Sequence, residues 1–260
     1  MPEGDTIHRA ARRMHRALAG KRIERAESRA ARVPASRLEG ATIDAVHARG
    51  KHLVIAFDDG RVLRSHLQMT GSWHLYRTSD RWRRPRRQMV LLLETDPWHA
   101  VAFNLPQAEL LRSEAHSRQL RRLGPDLLDP DCDLDEALRR IAAEPELPVG
   151  VALMRQDLVA GIGNVYKSEV LFLERLDPFA SVELIGSDAI RRALERARQL
   201  MRRNLRGRRR NTTGRSDGMT KFVYGRASER CPECGTTIRM RRQGSSGRST
   251  YWCPSCQSAQ

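Results

Sequence analysis

Four cysteines near the C-terminus constrain this chain more than any other feature. Cys231 and Cys234 form one C-x2-C pair, Cys253 and Cys256 form a second, and residues 235–252 separate the two pairs. Two thiolates three positions apart reach one ion from a tight turn, and two such pairs complete the tetrahedral set of four thiolates that Zn²⁺ prefers. A piece of about 30 residues cannot bury a core of its own, so the metal would stabilise it. We therefore predict one structural zinc ion bound by these four cysteines.

The residues between the two cysteine pairs predict a β-hairpin. Polar and apolar side chains alternate on both sides of the turn sequence Gln243-Gly-Ser-Ser-Gly-Arg248, a pattern typical of two strands joined by a loop. The C-terminal segment is thus predicted to be a zinc ribbon. Its arginines favour a second role in binding phosphates; they are Arg239, Arg241, Arg242 and Arg248. The fifth cysteine, Cys132, is interpreted as an incidental thiol.

The charge balance indicates a polyanionic partner. The chain has 47 Lys and Arg residues against 31 Asp and Glu residues, a formal net charge of +16. Nucleic acid is the common partner of so basic a protein, although a generally arginine-rich proteome would give the same balance. No apolar run approaches the ~18 residues of a membrane span, and the first twenty residues lack the apolar region of a secretory signal. We expect a cytoplasmic protein that binds nucleic acid and has no membrane partner.

Two segments are especially rich in arginine. Residues 77–87 contain six arginines around Trp82, and residues 202–215 contain seven without an acidic residue. A solvated surface is one interpretation of each segment. For the second, which is rich in Gly, Asn and Thr, the alternative is a mobile cationic loop over a nucleic-acid groove.

Hydrophobic periodicity predicts an α+β chain. Apolar residues at helical spacing predict an amphipathic helix over residues 5–19, capped by Asp5 or Thr6. Six short β-rich segments between residues 40 and 105 predict a sandwich or a barrel, with a hairpin turn at Asp58-Asp59-Gly60. A polar, proline-containing stretch before residue 132 indicates an interdomain linker. Helices are predicted beyond it, over residues 134–143, 151–160, 164–176 and 187–203.

The N-terminus offers an unusual nucleophile. If Met1 is removed, Pro2 presents a secondary α-amine, and an α-amine titrates near ~8 rather than the ~10.4 of a lysine. The start of the adjoining helix would favour the neutral amine, and Glu3 can donate or accept a proton beside it. Taken alone, these residues are better explained as an ordinary lead into a helix.

Five motifs in chain order resemble those of one enzyme family. They are MPEG at residues 1–4, Arg49-Gly50-Lys51-His52, Ser65-His66-Leu67-Gln68-Met69-Thr70-Gly71, Gly161-Ile162-Gly163-Asn164 and the stretch 247–253 that contains Arg248. Over nearly its whole length the chain resembles the formamidopyrimidine-DNA glycosylase/endonuclease VIII superfamily of base-excision repair enzymes. The MPEG opening is more similar to the endonuclease VIII (Nei) branch.

The resemblance implies an α+β multidomain fold. An N-terminal helix and a β-sandwich are expected over residues 1–115, a linker over 116–131, a helical domain with a helix-two-turn-helix over 132–222, and a zinc finger over 223–260. The implied partner is damaged double-stranded DNA. We also expect a monomer, associated with the nucleoid if the source is bacterial.

The resemblance also implies a catalytic set. Pro2 matches the nucleophile that attacks C1′ of the damaged nucleotide, and Glu3 matches the acid/base that assists ring opening. Lys51 matches a catalytic lysine near the lesion, and Arg248 is placed in both the catalytic and the DNA-binding sets.

A second implied set binds DNA. Asn164 and Arg248 match the pair that holds the phosphates flanking the lesion, and His66 matches a further backbone contact. Because the damaged nucleotide must leave the stack, Gln68 and Met69 are expected in the loop that fills the vacated space.

The implied activity is that of a bifunctional DNA glycosylase/AP lyase. A Schiff base at C1′ makes the C2′ proton acidic, so that β- and δ-elimination leave a one-nucleotide gap. Oxidised pyrimidines are the expected lesions, with oxidised purines such as 8-oxoguanine as the alternative. A non-catalytic damage-binding protein and a zinc-ribbon accessory factor are further alternatives.

The chain departs from the family at two places. Asp5-Thr6 stands where the family often has Pro-Glu, and Thr70 replaces an aromatic residue of the endonuclease VIII branch. The second N-terminal carboxylate is therefore expected to be displaced or absent.

Overall fold

The chain forms two compact units, residues 1–122 and 123–260. The computed structural model describes residues 2–207 and 209–258, so Met1 and Arg208, which entered the sequence analysis, lie outside the described residues. The division between the units falls within the segment 116–131, which the sequence predicts as a linker. Part of that segment is helical, however, because a helix that the sequence analysis did not predict covers Ser113–Leu120.

In its described part, residues 2–122, the first unit contains helix α1 (Gly4–Leu18), eight strands and helix α2 (Ser113–Leu120). The strands are β1 (Arg25–Ser28), β2 (Ile43–Arg49), β3 (His52–Phe57), β4 (Arg61–His66), β5 (Ser72–Arg77), β6 (Met89–Thr95), β7 (Trp98–Phe103) and β8 (Gln107–Arg112). The sequence predicts six of these strands and misses two edge strands, β1 and β8. These two lack the runs of apolar residues that mark the inner strands.

Two antiparallel four-stranded sheets form a β-sandwich, with strand orders β1-β6-β7-β5 and β2-β3-β4-β8. Alternate residues of both sheets enter one core, to which β3 contributes Ile55 and β6 contributes Leu93. Helix α1 packs its apolar face on this core. Successive residues of the face are three or four positions apart, namely Ile7, Ala11, Met14 and Leu18. The expectation of a helix packed on a sandwich is therefore confirmed.

The first sheet is also covered on its outer face. A smaller apolar cluster there consists of Tyr76, Met89, Leu92, Val101 and Phe103, with Trp82 packed against it. Because β7 contributes side chains to both the sandwich core and this cluster, its four last residues are all buried.

Over residues 123–207 and 209–258, the second unit contains five helices and a two-stranded hairpin. The helices are α3 (Leu134–Ala142), α4 (Val149–Ala152), α5 (Asn164–Leu173), α6 (Val182–Ile185) and α7 (Ser187–Asn204), and the strands are β9 (Arg239–Gln243) and β10 (Arg248–Trp252). Helix α5 is buried over nine of its ten residues. The predicted ribbon hairpin is confirmed, with Arg248 paired to Gln243 across the turn.

The helix predicted over residues 151–160 is wrong beyond Ala152. The chain there makes turns, and the Gln156 side chain bonds three backbone groups: it donates to the carbonyls of Met154 and Ile162 and accepts from Gly161 N–H. The carbonyl of Gln156 accepts from Gly124 N–H (2.8 Å) and Ala160 N–H donates to the carbonyl of Pro125 (2.8 Å), so these two groups do not bond each other as they would in a continuous helix. Among the residues described, no helix is long and apolar enough to cross a membrane.

Candidate active site and nucleic-acid interface

The start of helix α1 carries two buried carboxylates. Glu3 precedes the helix, and its carbonyl accepts hydrogen bonds from the N–H groups of Thr6 (2.9 Å) and Ile7 (3.1 Å). The predicted cap by Asp5 or Thr6 is wrong, because the helix begins at Gly4 and both residues lie in its first turn. Glu3 and Asp5 are each 0% exposed, at the helix end whose partial positive charge favours anions. Of the two expectations for the second N-terminal carboxylate, the buried Asp5 corresponds to displacement, by one position toward the N-terminus.

Helix α1 directs this end toward the turn between β2 and β3. Beyond the helix C-terminus, Gly20 N–H donates to the carbonyl of Ile43, where β2 begins (2.7 Å). Further back, His15 Nδ1 accepts from Val46 N–H (3.1 Å). The helix therefore runs antiparallel to β2, and its N-terminus points toward the end of β2, where Lys51 follows.

Lys51 lies in a tight turn beside two histidines. Arg49 and His52 are paired across the turn, and Gly50 between them has φ +57°, a backbone conformation that favours glycine. His66 is paired with His52 across β3 and β4, with ring centroids 5.0 Å apart. Burial lowers the pKa of His66, and the charge of Lys51 lowers it further.

His66 is oriented by its own loop. Its Nδ1 accepts a hydrogen bond from Gln68 N–H at 3.1 Å. In the neutral imidazole the proton then sits on Nε2, which leaves an N–H donor of the kind that a phosphate oxygen accepts.

The loop after β4 makes a compact turn that exposes Met69. Gly71 N–H donates to the carbonyl of Leu67 (2.8 Å), and a Cβ at Gly71 would lie only 2.7 Å from that carbonyl oxygen. Gln68 has φ +46°, and Met69 is 66% exposed. An exposed apolar side chain on a tight turn is suited to entering a base stack.

These features share one end of the first unit. The helix start, the β2–β3 turn and the β4–β5 loop all lie where β3 begins and β4 ends. The predicted residues of this unit, Pro2, Glu3, Lys51, His66, Gln68 and Met69, are therefore grouped there.

In the second unit, the predicted phosphate-binding pair also lies together. Asn164 is the first residue of α5, and Gly163 rather than Asn164 occupies the N-cap position. The Asn164 side chain does not cap the helix; its Nδ2 donates to the carbonyl of Ser249 (2.6 Å). Because Ser249 follows Arg248 directly, this bond fixes the hairpin tip beside the start of α5.

The four cysteines converge as predicted. Their sulfur atoms lie within 4.8 Å of one another, with Cys231 and Cys256 3.8 Å apart and Cys234 and Cys253 3.4 Å apart. A tetrahedral zinc site with Zn–S bonds of about 2.3 Å places sulfur atoms about 3.8 Å apart. The donor set and its spacing therefore fit one structural zinc ion. Cys132 lies apart, packed against the helical core.

Helix α5 also holds the hairpin through buried polar side chains that the sequence analysis missed. Lys167, 1% exposed, donates through Nζ to Thr250 Oγ1 (2.7 Å), and Thr250 donates in turn to Gln243 Oε1 (2.9 Å). Gln243 Nε2 reaches the carbonyl of Pro178 (2.7 Å). The only sequence signal was the presence of polar residues in an otherwise apolar helix.

The second arginine-rich segment makes specific contacts with the helices of its unit. Buried Glu169 accepts hydrogen bonds from Thr212 Oγ1 and from the N–H groups of residues 222–224. Asn204 Oδ1 also accepts from Asn211 N–H (2.9 Å). The segment is therefore anchored to α5 and α7 on its C-terminal side.

Comparison with known proteins agrees with this architecture. Residues 1–109 match the formamidopyrimidine-DNA glycosylase N-terminal domain, residues 123–215 the formamidopyrimidine-DNA glycosylase H2TH domain, and residues 228–259 the zinc finger found in FPG and IleRS. The crystal structure of Lactococcus lactis formamidopyrimidine-DNA glycosylase bound non-covalently to DNA containing an AP site is similar in fold. Its TM-score is 0.82, with 23% identity and coverage of 99% of this chain and 100% of that one.

Two curated relatives span the whole chain. The "Probable endonuclease 8 2" of Streptomyces coelicolor is 42% identical over 99% of this chain and 94% of the relative. The "DNA-(apurinic or apyrimidinic site) lyase Nei2" of Mycolicibacterium smegmatis is 39% identical over 100% of both chains. The three domains and these relatives define the class: the chain belongs to the formamidopyrimidine-DNA glycosylase/endonuclease VIII family of DNA repair enzymes. Within that family it is a member of the endonuclease VIII-like branch.

Proposed function

We propose that the protein is a bifunctional DNA glycosylase/AP lyase that uses Pro2 as its nucleophile and prefers oxidised pyrimidines. The observation that carries the proposal is the start of α1, where Pro2 stands directly before buried Glu3 and the helix points toward Lys51. A non-catalytic DNA clamp would require none of these three residues. The lesion preference rests on the similarity to the endonuclease VIII branch.

The chemistry follows from the amine of Pro2. Its lone pair attacks C1′, the bond from C1′ to the base breaks, and the base leaves with a proton. Opening of the sugar ring gives an iminium between C1′ and the proline nitrogen, and in this proposal Glu3 delivers the proton to the ring oxygen. Loss of a C2′ proton then expels the 3′ phosphate, and a second elimination expels the 5′ phosphate.

The DNA-binding residues have separate tasks in this proposal. Asn164 and Arg248 hold the phosphates flanking the lesion, His66 contributes a further backbone contact, and Met69, next to Gln68, enters the space vacated by the flipped nucleotide. Arg248 is suited to its task because a guanidinium group can contact two phosphate oxygens at once. The zinc ion stabilises the hairpin that presents Arg248 and takes no part in the bond-breaking steps.

Borohydride trapping tests the nucleophile. Untagged protein should form a reduced covalent adduct with duplexes containing an abasic site or an oxidised pyrimidine, and more slowly with one containing 8-oxoguanine. Pro2→Gly and a variant with one extra N-terminal residue should lose most of the adduct. Undiminished trapping by the extended variant, located by mass spectrometry at another residue, would reject Pro2 as the nucleophile. Faster trapping on 8-oxoguanine would reject the pyrimidine preference.

A further inference from the structure

A strongly basic segment of the first unit takes no part in the proposed chemistry. Residues 77–88, which join β5 to β6, are here named the arginine arm. The arm contains six arginines and one aspartate, so its formal charge is +5. Since β7 lies between β5 and β6 in the sheet, the arm must cross the outer face of that strand.

The arm is fixed in place by aromatic packing. Trp82 stacks on Tyr76, with ring centroids 6.4 Å apart, and meets Phe103 edge to face at 5.8 Å. Arg83 N–H donates to the Tyr76 hydroxyl (3.1 Å). Trp82 therefore covers the outer apolar cluster of the sheet and anchors the arm.

Both ends of the arm are tied to the sheet. At the N-terminal end of the arm, Thr78 N–H donates to the carbonyl of Pro97 (3.2 Å). At the C-terminal end, both oxygens of Glu27 accept from Arg86 (2.6 Å), and the carbonyl of Arg87 accepts from Arg29 (3.0 Å). The arm is therefore held to the sheet at both of its ends.

Four arginines of the arm have no acidic partner. Arg81, Arg83 and Arg87 are exposed and Arg84 is half-buried. Within the described residues, none of the four has a carboxylate oxygen within 4.0 Å, in contrast to Arg86 on Glu27. A cluster of like charges without counter-charges is unfavourable in the free protein, and a polyanion would relieve the repulsion.

His74, on the outer face of β5, is influenced by cationic side chains of two elements. Burial lowers its pKa, and the charges of Arg84, Arg13 and Arg83 lower it further. Arg13 is an exposed residue of α1, so a charge of this helix adds to that of the arm at this histidine.

The C-terminal end of the arm is linked through Asn104 to the loop that carries Met69. At its C-terminal end, the carbonyl of Gln88 accepts from Asn104 N–H (2.8 Å), and the carbonyl of Asn104 accepts from Thr70 Oγ1 (3.3 Å). From this end the arm extends along β5, whose six residues span about 20 Å at 3.4 Å per residue. That distance corresponds to about six base pairs of duplex, along which each strand carries one phosphate per 3.4 Å.

We propose that four arginines of the arm bind backbone phosphates of the duplex flanking the lesion, on the same side of the lesion as the Met69 loop. They are Arg81, Arg83, Arg84 and Arg87. The inference rests on the proposed function only in that it takes duplex DNA as the partner. Because the four guanidinium groups stand on a fixed backbone, they supply affinity that does not depend on base sequence. Longer duplexes are then bound more tightly and the protein is held beside the lesion.

Salt dependence of binding tests the proposal. The variant Arg81→Gln/Arg83→Gln/Arg84→Gln/Arg87→Gln is compared with a charge-matched control, Arg139→Gln/Arg191→Gln/Arg192→Gln/Arg196→Gln, whose arginines all have carboxylate partners. The ligand is a 30-base-pair duplex with a non-cleavable tetrahydrofuran abasic analogue. The slope of log K against log[salt] should become less negative by about 2–4 in the arm variant, because each phosphate that is no longer neutralised accounts for ~0.9 of the slope. The control should change it by less than about 1.

Neutral phosphates locate the contacts. Methylphosphonates placed in pairs along both flanks should weaken binding of wild-type and control proteins at one flank, and should have no added effect there on the arm variant. Equal losses of affinity for all three proteins at every position, or an unchanged salt slope in an arm variant with a wild-type circular dichroism spectrum, would overturn the proposal and point to an acidic protein as the partner of the arm. Failure of wild-type protein to form the borohydride adduct would instead reject the proposed activity, and the binding result would stand separately.

Discussion

His52 and His66 face each other across β3 and β4, and burial lowers the pKa of both imidazoles. For His52, burial acts first and the charges of His66, Arg64 and His116 act next, which brings its pKa to about 3. Its neutral ring therefore lies beside Lys51 at physiological pH without adding a second positive charge. The sequence places both histidines within two of the five motifs, but their pKa values depend on the pairing of two strands.

The lowered pKa of His52 predicts a pH dependence of stability. The unfolded chain binds a proton near pH 6.5, whereas folded His52 binds one only near pH 3, so unfolding is favoured as the pH falls between these values. We expect the free energy of unfolding to be fully retained above pH 6.5 and to decrease steadily toward pH 3. In His52→Gln this decrease should be shallower, as measured by urea denaturation across that pH range. Parallel curves for the two proteins would contradict the assignment.

Met69 offers a separate test at the scale of one side chain. Because it is 66% exposed, Met69→Ala should change the free energy of unfolding by no more than about 0.5 kcal/mol. Binding to an abasic duplex should nevertheless weaken, since Leu67, the other large apolar residue of that turn, is buried and cannot fill the space of the flipped nucleotide. Leu184→Ala, at a residue 63% exposed in α6, is the matched control for both measurements. Equal DNA affinities for the two variants would refute the wedge role.

At the scale of elements, helix α5 organises the second unit. Its Asn164, Lys167 and Glu169 side chains contact the hairpin tip, the hairpin interior and residues 222–224. Burying three polar side chains in one helix is unfavourable unless each is hydrogen-bonded, and each of them has partners. The helix therefore supports the surface that presents Arg248 as well as the core of its own unit.

Thr250→Val tests this support. Thr250 is 0% exposed, and its hydroxyl accepts from Lys167 and donates to Gln243. Replacing the hydroxyl by a methyl group should destabilise the protein by about 1–3 kcal/mol, because buried polar groups lose their partner. Zinc release to a chromogenic chelator should also accelerate. Thr237→Val, the same substitution at an exposed residue of this unit, should change neither measurement, and identical behaviour of the two variants would refute the role.

At the scale of the whole molecule, stability has two sources. The sandwich of the first unit and the helices of the second unit each have a large apolar core, whereas the hairpin buries a few residues around Cys231, Ile238 and Cys253. A small segment with few buried residues, such as this hairpin, depends on its bound metal for stability. The charge of +16 is likewise uneven, since the arginine arm alone carries +5.

Zinc removal should therefore act locally. After chelation under reducing conditions, hydrogen exchange measured by mass spectrometry should accelerate over residues 228–258 and in α5, whereas β2 to β7 should keep their protection. DNA binding should weaken because Arg248 is no longer held in place. Refolding with Zn²⁺ should restore both properties. Uniform loss of protection across the first unit would show that the metal stabilises the entire chain.

The sequence by itself determined the features that depend on local spacing. Residues a few positions apart in sequence are held at nearly constant distances by the backbone. Their spacing therefore predicts the two cysteine pairs of the zinc site, the apolar face of α1, the turn at Asp58-Asp59-Gly60 and the ribbon hairpin. The motif residues of the candidate site were located in the same way, and their roles remain predictions.

Features that depend on contacts between residues far apart in the chain could be established only from the folded structure. The backbone at residues 156 and 160 pairs with Gly124 and Pro125 where a helix was predicted, Asn164 bonds Ser249, and Trp82 fixes the arginine arm on a sheet. In each case a backbone or side-chain group makes hydrogen bonds or buries apolar surface on another segment of the chain. The free energy gained there exceeds the small local preference that the sequence pattern expresses.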